Sequence, residues 1–289
     1  MASAATCSCA GVPLLASIDT SASQEGDFFI NYSTEYHQIS DLVRGSEDIP
    51  DETGRDRNSF SQVLSASYAF SDRWSVSALV SHVEHNRTIG TGFFGKETTS
   101  GMGDSVVLVR YLPLYRTPFS RHELSLGLGA RIATGDDSFG SGFVVSEDMQ
   151  PSTGASASIL WSSYSYAFNQ AATLQLNASA SYTDNAENDR QYTFGNETSI
   201  TLGLAQTVGT RFSWSAGLRL RETDADQRFG FDIPNTGGQW LDFVPAVQFS
   251  VGDALKLGLF GRVPLDRDLE GALQFTTSYS YGLSLTYGF

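Results

Sequence analysis

The sequence predicts an all-β protein, a transmembrane antiparallel β-barrel of about twelve strands with short periplasmic turns and longer extracellular loops. Three observations lead to this fold class. Apolar and small polar residues alternate along most segments, the connections alternate between short and long, and an amphipathic final segment ends in Phe289.

The composition is compatible with a membrane barrel and excludes a membrane protein built from helices. Hydrophobic residues make up 40% of the 289 residues and the mean hydropathy is −0.17. No apolar run reaches the roughly 18 residues of a spanning helix. Barrel strands are apolar only at every second position, so their average hydropathy is ordinary. The net charge of −14 argues against a nucleic-acid partner.

Alternation is clearest in the last segment. Every second residue from Phe275 to Phe289 is aromatic, Leu or Thr, and the intervening residues are Thr, Ser or Gly. In residues 211–221 three arginines share a face with Ser and Gly, whereas Leu218 and the other apolar residues of its parity form the opposite face. In a membrane barrel the apolar faces contact lipid and the polar faces line the lumen.

The alternation defines the individual strands and leaves residues 1–25 as a separate periplasmic tail or lumen plug before a barrel of residues 26–289. Most segments reach the about 9–11 residues that cross a bilayer at a tilt. The predicted strands are 26–37, 58–70, 74–86, 103–112, 122–133, 156–168, 173–183, 192–206, 211–221, 239–251, 255–263 and 272–289.

Connection lengths set the orientation, because outer-membrane barrels have short periplasmic turns and long outer loops. The short connections are at 71–73, 169–172, 206–210 and 252–254, with a somewhat longer link at 113–121. The long ones are 38–57, 87–102, 134–155, 184–191 and 222–238, with 264–271 of intermediate length, and they carry most of the acidic residues.

The C-terminus resembles the recognition signal of bacterial outer-membrane proteins. Tyr287 and Phe289 end the final strand, so we expect the barrel-assembly machinery to bind this strand, and outer-membrane lipid and lipopolysaccharide to surround the protein. Residues 2–4 are small, as before a signal-peptide cleavage site, but the charged and apolar parts of a signal are missing. The expected location is the bacterial outer membrane, with the signal absent or truncated in this chain.

Four short motifs resemble an outer-membrane transporter-like family associated with meta-pathway phenol degradation. They are Gly101-Met102-Gly103-Asp104, Ala133-Thr134-Gly135-Asp136, Pro151-Ser152-Thr153-Gly154 and the stretch from Val263 to Gly271. Two depart from the family pattern, with Ala133 in place of Pro and Ser152 in place of Gly. The resemblance implies a barrel and passage of small, hydrophobic or aromatic compounds, and it carries over no catalytic residue.

Charged residues of lumen-facing parity are the candidate solute-contacting groups. They fit two interpretations. One is ion pairs between neighbouring strands, such as Arg110 or Arg131 with Glu123 or Asp104, and Arg219 with Glu197. The other is a basic surface for anionic solutes. The candidates are Arg110, Arg131, Arg211, Arg219, Arg221, Arg262, Glu123 and Glu197, with Glu35, Asp104, Asp242 and Lys256 of the same parity.

Metal-binding or catalytic chemistry has little support in the sequence. His82 and His85 are three residues apart, which places them on opposite faces of a strand. Cys7 and Cys9 form a thiol pair that suits a soft metal, but two ligands in a tail are an incomplete site. We expect no enzyme activity and no cofactor.

The sequence leaves three functions open. The first is an outer-membrane channel for passive passage of small solutes, with the solute itself undefined. The second is a structural barrel that docks a partner through its acidic loops or the tail with Cys7 and Cys9. The third, an outer-membrane hydrolase, would need His82 or His85 as its base.

Overall fold

The computed structural model describes residues 24–52, 54–88, 90, 96–117, 119–138, 146–252 and 254–289. Apart from a short 3₁₀ helix at Glu147–Met149, the regular structure in these ranges is all β. No helix among the described residues is long and apolar enough to cross a membrane. The first 23 residues of the predicted tail, with Cys7 and Cys9, lie outside the described residues.

The barrel wall is one antiparallel sheet of long strands, with two short strands added to it and a separate three-stranded sheet. The wall strands are β1 (Phe28–Gly45), β3 (Asp56–Ser71), β4 (Trp74–Thr88), β6 (Ser105–Leu114), β7 (His122–Ile132), β8 (Ala157–Ala167), β9 (Leu174–Asn185), β11 (Glu197–Val208), β12 (Phe212–Thr223), β15 (Gly238–Val251) and β16 (Leu255–Gly288). The short strands are β2 (Glu47–Ile49), β5 (Lys96–Met102), β10 (Tyr192–Thr193), β13 (Gln227–Arg228) and β14 (Phe231–Asp232).

Pairing between β16 and β1 closes the sheet into a barrel. Strand β16 folds back near Gly271, where φ is +87°, so its first half pairs with β15 and its second half with β1. The two halves also contact each other: the Nε of Arg262 donates to the Oγ of Ser280 at 3.3 Å. Counting β16 twice, the eleven wall strands give twelve crossings, which confirms the predicted barrel.

The two faces of the wall are arranged as the sequence predicts. Aliphatic and aromatic side chains point outward: Leu128 is 66% exposed and Leu218 47%. Serines of the opposite parity point inward, and Ser65 and Ser67 are almost completely buried. A soluble β-sandwich would bury the leucines instead, so the alternation has the polarity of a membrane barrel.

Connections define two ends of the barrel. At the short-turn end β3 joins β4, β8 joins β9, β11 joins β12 and β15 joins β16. At the long-loop end lie the connections that follow β1, β4, β7, β9 and β12. Exposed aromatic side chains gather on the outside of the short-turn end, as in an interfacial girdle: Tyr68, Phe70, Trp74, Phe168, Phe212, Phe249, Tyr287 and Phe289.

The strands extend further at the long-loop end than the sequence predicts. Strand β1 continues to Gly45 inside the predicted loop 38–57, and β5 lies inside the predicted loop 87–102. Strands that project beyond the lipid have no apolar outer face, so alternation stops although backbone pairing continues. The prediction of loops at these positions was therefore wrong.

Candidate functional site

The lumen wall is built mainly from hydroxyl and amide side chains that pair between strands. Asn31 donates to Thr286 at 2.7 Å, and the hydroxyls of Ser67 and Ser77 lie 2.8 Å apart. Period-two alternation places these small polar residues inside. The result is a narrow polar surface along β1, β3, β4 and the end of β16.

A group of ion pairs crosses β11 and β12. The guanidinium of Arg219 lies 3.4 Å from Glu197 and donates to Ser199 at 2.9 Å. Arg221 reaches the other oxygen of Glu197 at 3.6 Å and stacks over Trp240. The structure therefore brings together Arg219 and Glu197, the pair suggested by the sequence.

A second group joins β1 to β16. The Nε2 of His37 lies 3.1 Å from Glu35, and Arg262 donates to the Nδ1 of His37 at 3.0 Å. Arg262 also lies 3.7 Å from Glu35. Sequence reasoning placed Glu35 and Arg262 inside but missed His37, although its parity matches that of Glu35.

The remaining charged candidates lie at different levels of the barrel. Asp104 and Arg131 approach to 3.6 Å at the long-loop end, and Arg110 donates to Ser75 at 3.0 Å. Glu123 is half-buried near the short-turn end. Arg211 is exposed in the turn before β12, which begins at Phe212. Asp242 is buried on β15, and Lys256 lies over the ring of Phe29.

One part of the inner wall is apolar, and the sequence analysis missed it. Buried side chains from β3, β4, β6 and β8 form a cluster against which Trp161 packs. Gly129 on β7 leaves room for it, since a Cβ there would lie 2.9 Å from Leu108. We call this cluster the apolar patch; its members are Val63, Leu79, Val106, Leu108, Ile159 and Trp161.

The apolar patch was missed because alternation fails where it forms. Residues 106–109 are apolar without interruption, so parity alone does not distinguish the inner from the outer residues. In the structure Val106 and Leu108 are buried, while Val107 and Val109 are exposed on the lipid side. A strand that is apolar on both faces was the available signal.

A segment of the β7–β8 connection folds inward and covers the wall at the long-loop end. We call residues 146–153 the inner segment; Met149 and Gln150 within it have 0% exposure. Asp104 accepts hydrogen bonds from Ser152 at 2.5 Å and from the amide of Thr153 at 3.0 Å. The sequence predicted an external loop over 134–155, and for the inner segment that prediction was wrong.

Arginines from several elements hold the carboxylates of the inner segment. Arg190 donates twice to Glu147, at 2.8 and 2.5 Å, and Arg228 approaches Glu147 to 3.4 Å. Arg57 lies 2.8 Å from Asp148. The hydrogen bonds to Glu147 raise the pKa of Arg190 above its ordinary value, although partial burial opposes this. Glu147 and Asp148 are thus paired with arginines at the long-loop end.

His82 and His85 lie on opposite faces of β4 and do not share a site. His82 is exposed on the outside and His85 is buried inside, where its Nδ1 lies 2.6 Å from the Oγ of Ser59. No metal-binding group of three or more His, Cys, Asp or Glu occurs among the described residues.

This fold and this polar lumen define a protein of the outer-membrane β-barrel class. The sequence matches, over residues 81–268, the family described as "Putative MetA-pathway of phenol degradation". The match spans more than half of the chain, and the chain belongs to this family. No curated protein matches it significantly.

Solved structures share the fold at low sequence identity. An outer membrane channel from Pseudomonas putida F1 has a TM-score of 0.74 and 12% identity, with 94% of this chain and 100% of that chain covered. The β domain of the Bordetella autotransporter BrkA has a TM-score of 0.54, 11% identity and coverages of 92% and 100%. The KdgM porin has a TM-score of 0.50, 9% identity and coverages of 90% and 99%.

Proposed function

We propose that the protein is an outer-membrane channel for the passive passage of small solutes that carry an apolar, often aromatic, part. The apolar patch is the observation that carries the solute class. Its six side chains lie on the lumen side of four strands, in a wall that is otherwise rich in hydroxyls and ion pairs. The other five side chains are at most 4% exposed, so the half-buried ring of Trp161 is the surface that the patch offers to a solute. An apolar solute gains free energy when it displaces water from this ring.

Two further findings support the proposal. The family to which the chain belongs is associated with phenol degradation by its description. A similar barrel from Pseudomonas putida F1 is described as an outer membrane channel. The long loops then face outside and the short turns face the periplasm. Heat-modifiable migration of the protein from an outer-membrane fraction on SDS gels tests the location.

Liposome swelling tests the solute class. The solutes are methyl β-glucoside and phenyl β-glucoside, which differ only in the apolar group. We expect Trp161→Ser to lower the ratio of phenyl to methyl transport about fivefold, since an apolar contact is lost. Ser179→Ala, on the lumen side of β9 away from the patch, is the matched control and should leave the ratio unchanged. An unchanged ratio in Trp161→Ser, with normal swelling, would exclude the patch as the solute contact.

A further inference from the structure

We propose that the inner segment, residues 146–153, is a latch that closes the outer mouth of the channel and is locked by the ion pair of Glu147 with Arg190. The inference rests on the proposed channel function and adds its regulation. Three facts support it: the burial of the segment, the burial of the wall beneath it, and the pattern of its bonds.

The inner segment covers the lumen face of β3, β4 and β5. Beneath it Arg57, His85 and Thr99 are only 2–3% exposed. The wall beneath the segment is therefore shielded from water.

The segment is held mainly by polar side chains rather than by an apolar core. Arg57 contacts Asp148, Thr99 donates to the carbonyl of Met149, and Ser152 donates to Asp104. An apolar core forms a continuous packed unit, whereas separate hydrogen bonds can break locally while the barrel remains intact. The contacts thus favour a segment that can detach from the wall while the barrel stays folded.

Glu147 is the central contact of the latch. Its two oxygens receive a bidentate guanidinium from Arg190, and Arg228 and Asn188 each approach to 3.4 Å. Arg190 also donates to Asp137 at 2.9 Å. Arg87 lies 3.8 Å from Asp148 and donates to Ser146. Bidentate arginine–carboxylate pairs are among the strongest protein hydrogen bonds, so Arg190 is the residue whose loss should release the segment.

Arg190 belongs to the β9–β11 connection and Arg228 to β13, which pairs with β10. These elements lie at the long-loop end, and β10 and β13 belong to a sheet separate from the barrel wall. Tyr192, two residues after Arg190, is buried and donates to Asp226 at 2.6 Å. Burial raises the pKa of Tyr192 above its ordinary value. A movement of the sheet of β10, β13 and β14 would carry Arg190 and Arg228 away from Glu147.

Two measurements on the full chain test the latch. The first is the rate at which a membrane-impermeant charged maleimide labels Met149→Cys, in a background where Cys7 and Cys9 are replaced by Ser. The second is single-channel conductance in planar bilayers. Each is compared between the parent, Arg190→Ala and the charge-matched control Arg73→Ala, whose residue lies in the short turn before β4. Phe231 is 78% exposed, so Phe231→Cys gives the labelling rate of an accessible cysteine.

We expect Arg190→Ala to label Met149→Cys about tenfold faster and to conduct more, while Arg73→Ala does neither. Arg190→Lys, which keeps the charge but not the bidentate geometry, should be intermediate and serves if Arg190→Ala does not fold. Unchanged labelling overturns the latch, and faster labelling with unchanged conductance shows that the segment is not the barrier. If labelling accelerates but neither protein conducts, the channel function itself is contradicted.

Discussion

A step of one residue along a strand moves the side chain to the opposite face of the wall, as adjacent residues of β12 show. Leu218 is 47% exposed on the outer face, whereas Arg219 points inward to Glu197 and Ser199. In lipid a guanidinium has no partner, whereas in the lumen it has a carboxylate and a hydroxyl. Arginine at position 218 should therefore block assembly, whereas leucine at position 219 should be tolerated.

We expect Leu218→Arg to block assembly, because an arginine on the lipid face near mid-membrane costs about 2–4 kcal/mol. The fraction of heat-modifiable protein in the outer membrane measures this. Assembly of Leu218→Arg at the parental level would show that the facing of β12 is wrong. Leu218→Phe is the control, since it stays apolar and should assemble normally.

Arg219→Leu should assemble, because Glu197 keeps Arg221 as a partner at 3.6 Å. Loss of a positive charge from the lumen should shift ion selectivity toward cations. The reversal potential in a KCl gradient across a planar bilayer measures this shift. A reversal potential equal to that of the parent would place Arg219 outside the conducting path.

At the scale of elements, the Gly101-Met102-Gly103-Asp104 motif marks the break between β5 and β6. Strand β4 pairs with β5 above the break and with β6 below it. Asp136 bridges the break: its carboxylate accepts from the amide of Met102 at 2.8 Å, and its own amide donates to the carbonyl of Met102. The approach is so close that a Cβ at Gly101 would meet the carboxylate of Asp136 at 2.6 Å.

Asp136→Ala should destabilise the barrel by about 1–3 kcal/mol, since a backbone amide loses its acceptor. The midpoint of heat-induced unfolding on gels measures this loss. Asp136→Asn keeps an acceptor oxygen and should lose much less. Equal losses in the two variants would indicate that charge, and not the hydrogen bond to Met102, sets the stability here.

The sequence predicts the elements well where lipid imposes alternation and poorly where it does not. The crossings, the short turns and the inward face of Arg219 follow from period-two patterns. The extension of β1 to Gly45, the inner segment and the apolar patch do not. Each depends on contacts between distant parts of the chain, such as Asp104 with Ser152, which no local pattern encodes.

At the scale of the whole molecule, the barrel exists only when its two ends pair. Strand β1 pairs with the second half of β16 from Phe29 with Gly288 to Val43 with Gln274. The last residue completes the seam: the amide of Phe289 donates to the carbonyl of Phe28 at 2.9 Å, and the two rings lie 5.3 Å apart. Closure removes the exposed strand edges, whose polar groups would be unsatisfied in lipid.

Phe289 is 72% exposed although it lies at this seam, so most of its ring is free to meet another surface. We therefore predict that Phe289→Ala lowers assembly in cells several-fold, while refolding of the purified chain in detergent stays near the parental yield. Phe249→Ala, which removes an exposed aromatic at the same end of the barrel, should affect neither. We propose that the assembly machinery binds the last strand, and such recognition would produce this split between cells and detergent. An equal loss in both settings would show instead that Phe289 acts by packing on Phe28 and Tyr287, at ring distances of 5.3 and 4.7 Å.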